Sequence, residues 1–364
     1  MRFSWKSIVK TNSGSYRKGV VLALALAVAG GATAFAASQV SILETGSSLL
    51  YPLFNLWVPA FTKVHPNVKI TTQSTGSGTG ISQSVEGIAQ IGASDAYLSN
   101  ALEKMHPSML NIPLAISSQM VNFNIPGLND KHLNLSGPVL AGIYMGKITN
   151  WNDPQIEKIN PGVKLPNHVI VPIHRTDGSG DTFIFTQYLA FSTPEWANSL
   201  SYGTTISWPA VSGGLGAVGN PGMVTALTGS PYSIAYIGAS YKAAIMQHHM
   251  GTAALGNRDG KFVMLTPHTV SSAAAQMVPK TPQDERVSLI FAPGADSYPI
   301  INYEYAIVNK NQPSAETAAA LRTLFTWAIS SKGGNAPKYM DAVHFAPLPP
   351  SVVKLSQAQI NQIR

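Results

Sequence analysis

The sequence predicts an α/β protein of mixed, mostly parallel sheets flanked by helices. Three observations carry that expectation. Short β-patterned apolar runs alternate with helical runs along the chain. Turns rich in glycine and hydroxyl side chains follow the strands, at Gly46-Ser47-Ser48, Gly76-Ser77-Gly78 and Ser94-Asp95. The 364 residues also show no internal repeat or low-complexity linker, and are enough for two domains once a leader is set aside.

That leader comes first. Arg2, Lys6, Lys10, Arg17 and Lys18 precede an apolar run at Val20–Gly30, and Ala34-Phe35-Ala36 fits a small-x-small cleavage pattern. Residues 1–36 therefore read as a signal peptide for export, with the mature chain starting near Ala37. Retention as a membrane anchor is the alternative, since the run from Gly19 to Ala37 approaches the ~20 residues a span needs. The net charge of +7 is largely this leader: without its five basic residues the balance is 19 to 17, or +2. A nucleic-acid partner is not implied. The absence of cysteine excludes disulfides, thiol chemistry and a lipid anchor on cysteine. Charged residues make up only 11% of the chain, well under the ~25% of ordinary domains. So sparse a set of ionisable groups predicts a stability that depends little on pH, and an acidic setting outside the cell is one explanation for it.

The elements follow in order. Val40–Leu43 reads as a strand and Leu49–Val64 as a helix, with Pro52 tolerated in its first turn and Pro59 expected to kink or break it. Val68–Thr72 alternates like a strand, the Thr75–Gly80 run reads as a glycine-rich loop, and Ile81–Ala89 as a helix. Short strands follow at Ile91–Ala93 and Val121–Ile125, the second closed by Pro126-Gly127. Val169–Ile173 is a strand, Thr182–Phe191 a helix, Ser212–Gly222 a glycine-rich loop and Ser233–Ile237 a strand. Ile300–Val308 is strongly β-patterned, and Thr317–Ile329 and Val352–Ile363 read as closing helices.

In open α/β sheets, ligands sit beyond the carboxyl ends of the strands. The turn Arg175-Thr176-Asp177-Gly178-Ser179-Gly180-Asp181 is the richest of these places. Arg175 offers a planar fork of donors that matches an oxyanion. The glycines let successive backbone N–H groups converge, and the helix that follows adds its positive end. Taken alone, the same residues fit an ordinary strand–turn–helix junction, with Asp181 a helix cap and Arg175 a solvated charge. Together with the other strand-end turns they define a pocket of neutral donors, one cation and carboxylate acceptors. Enzyme chemistry would need a nucleophile with a base, or a metal cluster. None of the nine histidines stands in a metal-ligand spacing, His248-His249 reads as a solvated helix end, and Ser179 has no base beside it. No metal and no cofactor are expected.

Ordered segments across about residues 41–355 resemble the periplasmic phosphate-binding proteins of high-affinity phosphate ABC importers. They include Thr45-Gly46-Ser47-Ser48-Leu49, Gly76-Ser77-Gly78-Thr79-Gly80-Ile81, Ile91-Gly92-Ala93-Ser94-Asp95-Ala96, Arg175–Phe183, Asn124–Leu128, Ile143–Ile148, Trp151-Asn152-Asp153 and Pro347-Leu348-Pro349. The resemblance implies the two-lobed periplasmic-binding-protein fold with a double-crossing hinge. Its crossings would fall near Pro113–Asn124 and Pro299–Val308, giving residues 38–116 plus 303–364 as lobe one and 117–302 as lobe two. It also implies a monomer outside the cytoplasm that delivers inorganic phosphate to ABC permease subunits and their ATPase. The implied phosphate contacts are the Ser48 hydroxyl and backbone, the Leu49 N–H, the Ser77 hydroxyl, the Arg175 guanidinium, and Ser179, Gly180 and residue 181 at the helix start. Asp95 would accept the proton of the phosphate. Asp181 departs from the threonine common in the family. Paired with Asp95 around one arginine, it is expected to favour the monoanion. Sulfate lacks the proton, and leaving Asp95 unsatisfied against it costs ~1–3 kcal/mol or more. The alternatives are a phosphatase-like hydrolase on the same fold, or a binder of arsenate or sulfate.

Overall fold

The structure, a computed structural model, describes residues 39–364, so the leader expected at 1–36 lies outside the described residues. Twelve strands and their connections form around one long central strand. They are β1 (Val40–Gly46), β2 (Val68–Ser74), β3 (Ile91–Ser94), β4 (Met109–Asn124), β5 (Asn134–Leu135) and β6 (Val171–Arg175). Then come β7 (Leu215–Ala217), β8 (Ser233–Gly238), β9 (Gly251–Thr252), β10 (Ala254–Gly256), β11 (Phe262–Val263) and β12 (Ile301–Asn309).

Nine strands make one mixed sheet in the order β2-β1-β3-β12-β4-β8-β6-β7, with β9 also on β4. β1 pairs in parallel with β2 and β3, and β6 in parallel with β7 and β8. These strands are the parallel, helix-flanked units that the alternating pattern predicts. The centre is antiparallel: β12 pairs with the Met109–Ser118 part of β4, and β8 with Gln119–Asn124. β4 thus changes partner between Ser118 and Gln119. β5, β10 and β11 form a separate small sheet.

Every one of the 16 residues of β4 is buried, where the sequence suggested only Val121–Ile125. Pro113 sits inside this strand because the register slips there: Glu304 faces Ala115 while the next residue, Tyr305, faces Pro113. A bulge is where a strand tolerates a residue without an N–H, and it re-aims the neighbouring side chains.

Two other readings gain detail. Pro59 does not break the helix, which runs from Tyr51 to Val64 with buried Leu53, Phe54, Trp57 and Phe61 holding both of its halves against the core. The glycine-rich run is not all loop. The helix Ser77–Val85 begins inside it, and the Ser212–Gly222 segment holds β7 and the start of the helix Gly219–Gly229. Tertiary packing overrides the low helix propensity of glycine at both places. Among the described residues, no helix is long and apolar enough to cross a membrane.

Candidate functional site

The site forms where the turns after β1, β3 and β6 and the start of the helix Ser77–Val85 meet. Gly76 caps that helix at φ +89°, and a Cβ there would stand 2.6 Å from both Asp177 Oδ2 and the Gly178 carbonyl. Only glycine combines that backbone conformation with so close an approach. The Gly78 N–H donates to the Gly178 carbonyl at 2.8 Å, so the two turns touch backbone to backbone. Gly180 is the second such place. A Cβ on it would lie 2.2 Å from Asp95 Oδ2 and 2.4 Å from Ser77 Oγ. The structure therefore brings Ser77, Asp95 and Gly180 into direct contact.

Asp95 is buried at the end of β3 and well partnered. The Ser47 hydroxyl donates to its Oδ1, its N–H donates to Ser77 Oγ at 3.2 Å, and Asn302 of β12 donates its amide to its carbonyl. Glu304 lies against Asp95 as well, because β12 pairs antiparallel with β3 with Tyr305 opposite Ser94. Burial, then the nearby charge of Asp181, push the Asp95 carboxyl above the usual carboxylate range, against the hydrogen bonds and Arg175.

Arg175 ends β6 with its side chain only 1% exposed. Asp177 accepts from Nε at 2.7 Å and from Nη2, and Asp181 accepts from Nη1 at 2.9 Å. Of the five N–H groups of a guanidinium, these bonds use three and leave one on each terminal nitrogen as a donor for an oxyanion. Burial lowers the guanidinium pKa. The Asp177 hydrogen bond and the charges of Asp181 and Asp177 outweigh it, so the group is held firmly charged. In return, Arg175 overcomes burial at Asp177 and holds its carboxyl low.

Asp181 is no solvent-facing cap. Ser179 caps the helix Gly180–Ser192 by accepting from the Thr182 N–H at 3.1 Å, and Asp181 is buried in the first turn. Its Oδ2 receives Arg175 and the Asn220 amide (2.6 Å), and its Oδ1 receives the Gln119 amide at 2.9 Å. Burial still raises its pKa overall, against Arg175 and these donors. Gly180 and Asp181 are the first two residues of that helix, so their N–H groups have no partner within it.

Ser48 and Leu49 also lie at the site, with their groups engaged by protein. The Ser48 hydroxyl oxygen accepts from the Asn220 N–H and side-chain amide, both at 3.0 Å. The Leu49 N–H donates to Ser47 Oγ at 3.1 Å. Ser47 is thus the residue that joins the helix start to Asp95, one position before the serine singled out in the sequence.

Sequence reasoning missed Ser47, Asp177, Gln119, Asn220, Asn302 and Glu304. Asp177 lay in plain view in the arginine turn, and Glu304 is the one carboxylate in the β-patterned run Ile300–Val308. Asn220 and Gln119 come from distant segments and carry no local signal. Among the described residues, no three His, Cys, Asp or Glu side chains are placed to hold a metal ion.

The low content of charged residues does not translate into indifference to pH. Glu44, Asp95, Asp181, Glu285 and Glu304 are buried carboxyls, and in all five burial is the largest cause of a raised pKa. The number of buried ionisable groups, and not their total, sets that dependence.

Comparison with known proteins gives a consistent picture. The model of a PBP superfamily domain matches residues 31–332. The phosphate-binding protein PstS of Methanocaldococcus jannaschii is 34% identical over 345 residues, covering 90% of this chain and 87% of that protein. The phosphate-binding protein PstS of Pasteurella multocida is 33% identical over 337 residues, covering 93% and 94%. Among solved structures, a high affinity periplasmic phosphate-binding protein (PfluDING) bound with phosphate superposes with a TM-score of 0.68 at 20% identity, covering 87% of this chain and 93% of that one. A phosphate-binding protein from Stenotrophomonas maltophilia gives 0.69 at 20% identity, covering 88% and 94%. At such identities the structures share the fold.

Proposed function

We propose that this chain, which belongs to the PBP superfamily and within it to the PstS-type phosphate-binding proteins, captures inorganic phosphate outside the cytoplasm and hands it to an ABC importer. It acts as a monomeric carrier, not as an enzyme, and its receivers are the transmembrane permease subunits with their ATPase. The observation that carries this reading is the buried Arg175, locked by Asp177 and Asp181 with one N–H left on each terminal nitrogen, in a site shared with the carboxyl of Asp95. Such a site supplies fixed donors for a dehydrated tetrahedral anion and one acceptor for its proton.

The ion sits among Ser48, Leu49, Ser77, Asp95, Arg175, Ser179, Gly180 and Asp181. Ser77, Asp95 and Gly180 are in contact, as are the turns carrying Gly78 and Gly178, so these contacts part for the ion to enter. The parting hinges where β4 changes partner beside β12, with residues 38–116 and 303–364 moving as one lobe and 117–302 as the other.

Titration calorimetry with phosphate and sulfate tests this. The wild type is expected to bind phosphate far more tightly. Asp95→Asn, which turns an acceptor into an amide that can also donate, narrows the preference by roughly ten- to a hundredfold. Wild-type protein that binds the two ions equally overturns the reading.

Asp181 supplies a second carboxylate, and its presence biases the site toward phosphate carrying two protons. Asp181→Thr is expected to move the pH of tightest phosphate binding upward within pH 4–8. A profile that stays in place in the folded variant removes that role.

A further inference from the structure

Glu304 has no part in the reading above, yet it is a carboxyl with no exposed surface at the centre of the sheet. Asn302 and Glu304, two residues apart on β12, project to the same side. Asn302 donates to the backbone carbonyl of Asp95, and β12 runs antiparallel to β3 with Tyr305 opposite Ser94, which brings Glu304 against Asp95. The bulge beside Glu304 breaks the regular register at that point. Two buried carboxyls set against each other hold one proton between them more readily than two negative charges.

The surrounding donors decide which one. Asp95 receives the Ser47 hydroxyl and feels the positive charge of Arg175, so its ionised form is the better supported. Glu304 receives the Ser117 hydroxyl on Oε1, while its Oε2 is buried without a hydrogen-bond donor. Its other neighbours are acidic: Asp95 after β3, and Asp181 on the helix Gly180–Ser192, with Arg175 already held by Asp177 and Asp181. An orphaned Oε2 beside an ionised acceptor is where a retained proton belongs.

We propose that Glu304 fixes the proton inventory of this site: it keeps its proton and donates it to Asp95, so that the two carboxyls act as one singly charged acceptor for a protonated oxyanion and repel that anion once Glu304 ionises. Glu304 is a positioning residue acting through Asp95. Burial first, and then the charge of Asp95, favour the neutral form. The inference rests on the phosphate reading above.

The test measures inorganic phosphate affinity at pH 6 and pH 9 for the wild type, E304Q and Ser117→Ala, together with wild-type-minus-E304Q infrared spectra at pH 7. The wild type is expected to lose about tenfold more affinity between the two pH values than E304Q, whose amide keeps its donor at any pH. The infrared difference is expected to hold a protonated-carboxyl band that the variant lacks. Equal losses in a folded E304Q, or no such band, overturn the proposal. If E304Q does not fold, Ser117→Ala decides the matter. Removing the hydroxyl that favours ionised Glu304 should carry the fall in affinity to higher pH, and an unmoved fall overturns the idea. Wild-type protein that binds no phosphate at any pH defeats the phosphate reading instead, and the infrared band still reports where the proton lies.

Discussion

Arg175→Met is expected to reduce phosphate affinity by at least about a hundredfold and to lower stability by about 3–5 kcal/mol. The two effects share one cause. The guanidinium neutralises Asp181, which is itself buried, and Asp177, which is half-buried beside it. Methionine fills a similar volume but leaves both carboxylates without their cation, and removing one partner of a buried pair costs more than the pair was worth. Urea unfolding and phosphate calorimetry on the same sample check both halves. The further variant Arg175→Met with Asp177→Asn and Asp181→Asn separates them: stability should largely return, because no orphaned charge remains, while phosphate binding should not. A single variant as stable as the wild type contradicts the burial of this pair.

The ligand-free protein should be most stable in mildly acidic solution and lose several kcal/mol as the pH rises toward 9. Glu285 illustrates the sign. Burial pushes it up to about 8, against hydrogen bonds from Ser356 and Gln359 on the C-terminal helix. The folded state therefore holds this proton more tightly than the unfolded chain does. Its contribution is fully present below the unfolded value of 4.5 and is lost as pH climbs through about 8. Every tenfold gain in proton affinity on folding is worth about 1.4 kcal/mol, so this group alone accounts for a few kcal/mol. Glu44, Asp95, Asp181 and Glu304 act in the same direction, while Asp177, whose carboxyl is held low, opposes them only toward strong acid. Thermal melting from pH 5 to 9 measures the slope, and Glu285→Gln should flatten it. A wild-type profile that is level across this range would show that folding does not raise the proton affinity of these carboxyls.

Much of this was legible in the sequence wherever the signal was local. Strand–turn–helix units such as β1 with the helix after it, or β6 with the helix Gly180–Ser192, announce themselves through apolar periodicity and glycine turns. The segments carrying Ser48, Ser77, Asp95 and Arg175 could be picked out for the same reason. The first half of β4 was hidden because Asn111, Pro113 and Ser117-Ser118-Gln119 break its apolar run, and only pairing with β12 makes them strand. The helix at Ser77 was hidden by the glycines that let it approach the Arg175 turn. What local pattern cannot supply is the partner set. Asn220 reaches Ser48 and Asp181, and Gln119 reaches Asp181, across large sequence separations, and each is an unremarkable amide until the fold is built.

The place of β12 has a consequence for how the chain is made. It lies between β3 and β4, so those two strands are not each other's neighbours and share no edge until residues 301–309 arrive. Everything synthesised before that point holds an incomplete sheet with a gap at its centre. The last third of the polypeptide must be inserted as a wedge before the first third can settle. Assembly of that kind is dominated by distant pairings and is intrinsically slow. The strands β2-β1-β3 and β4-β8-β6-β7 thus have nothing to join them into one sheet until the final strand is in hand.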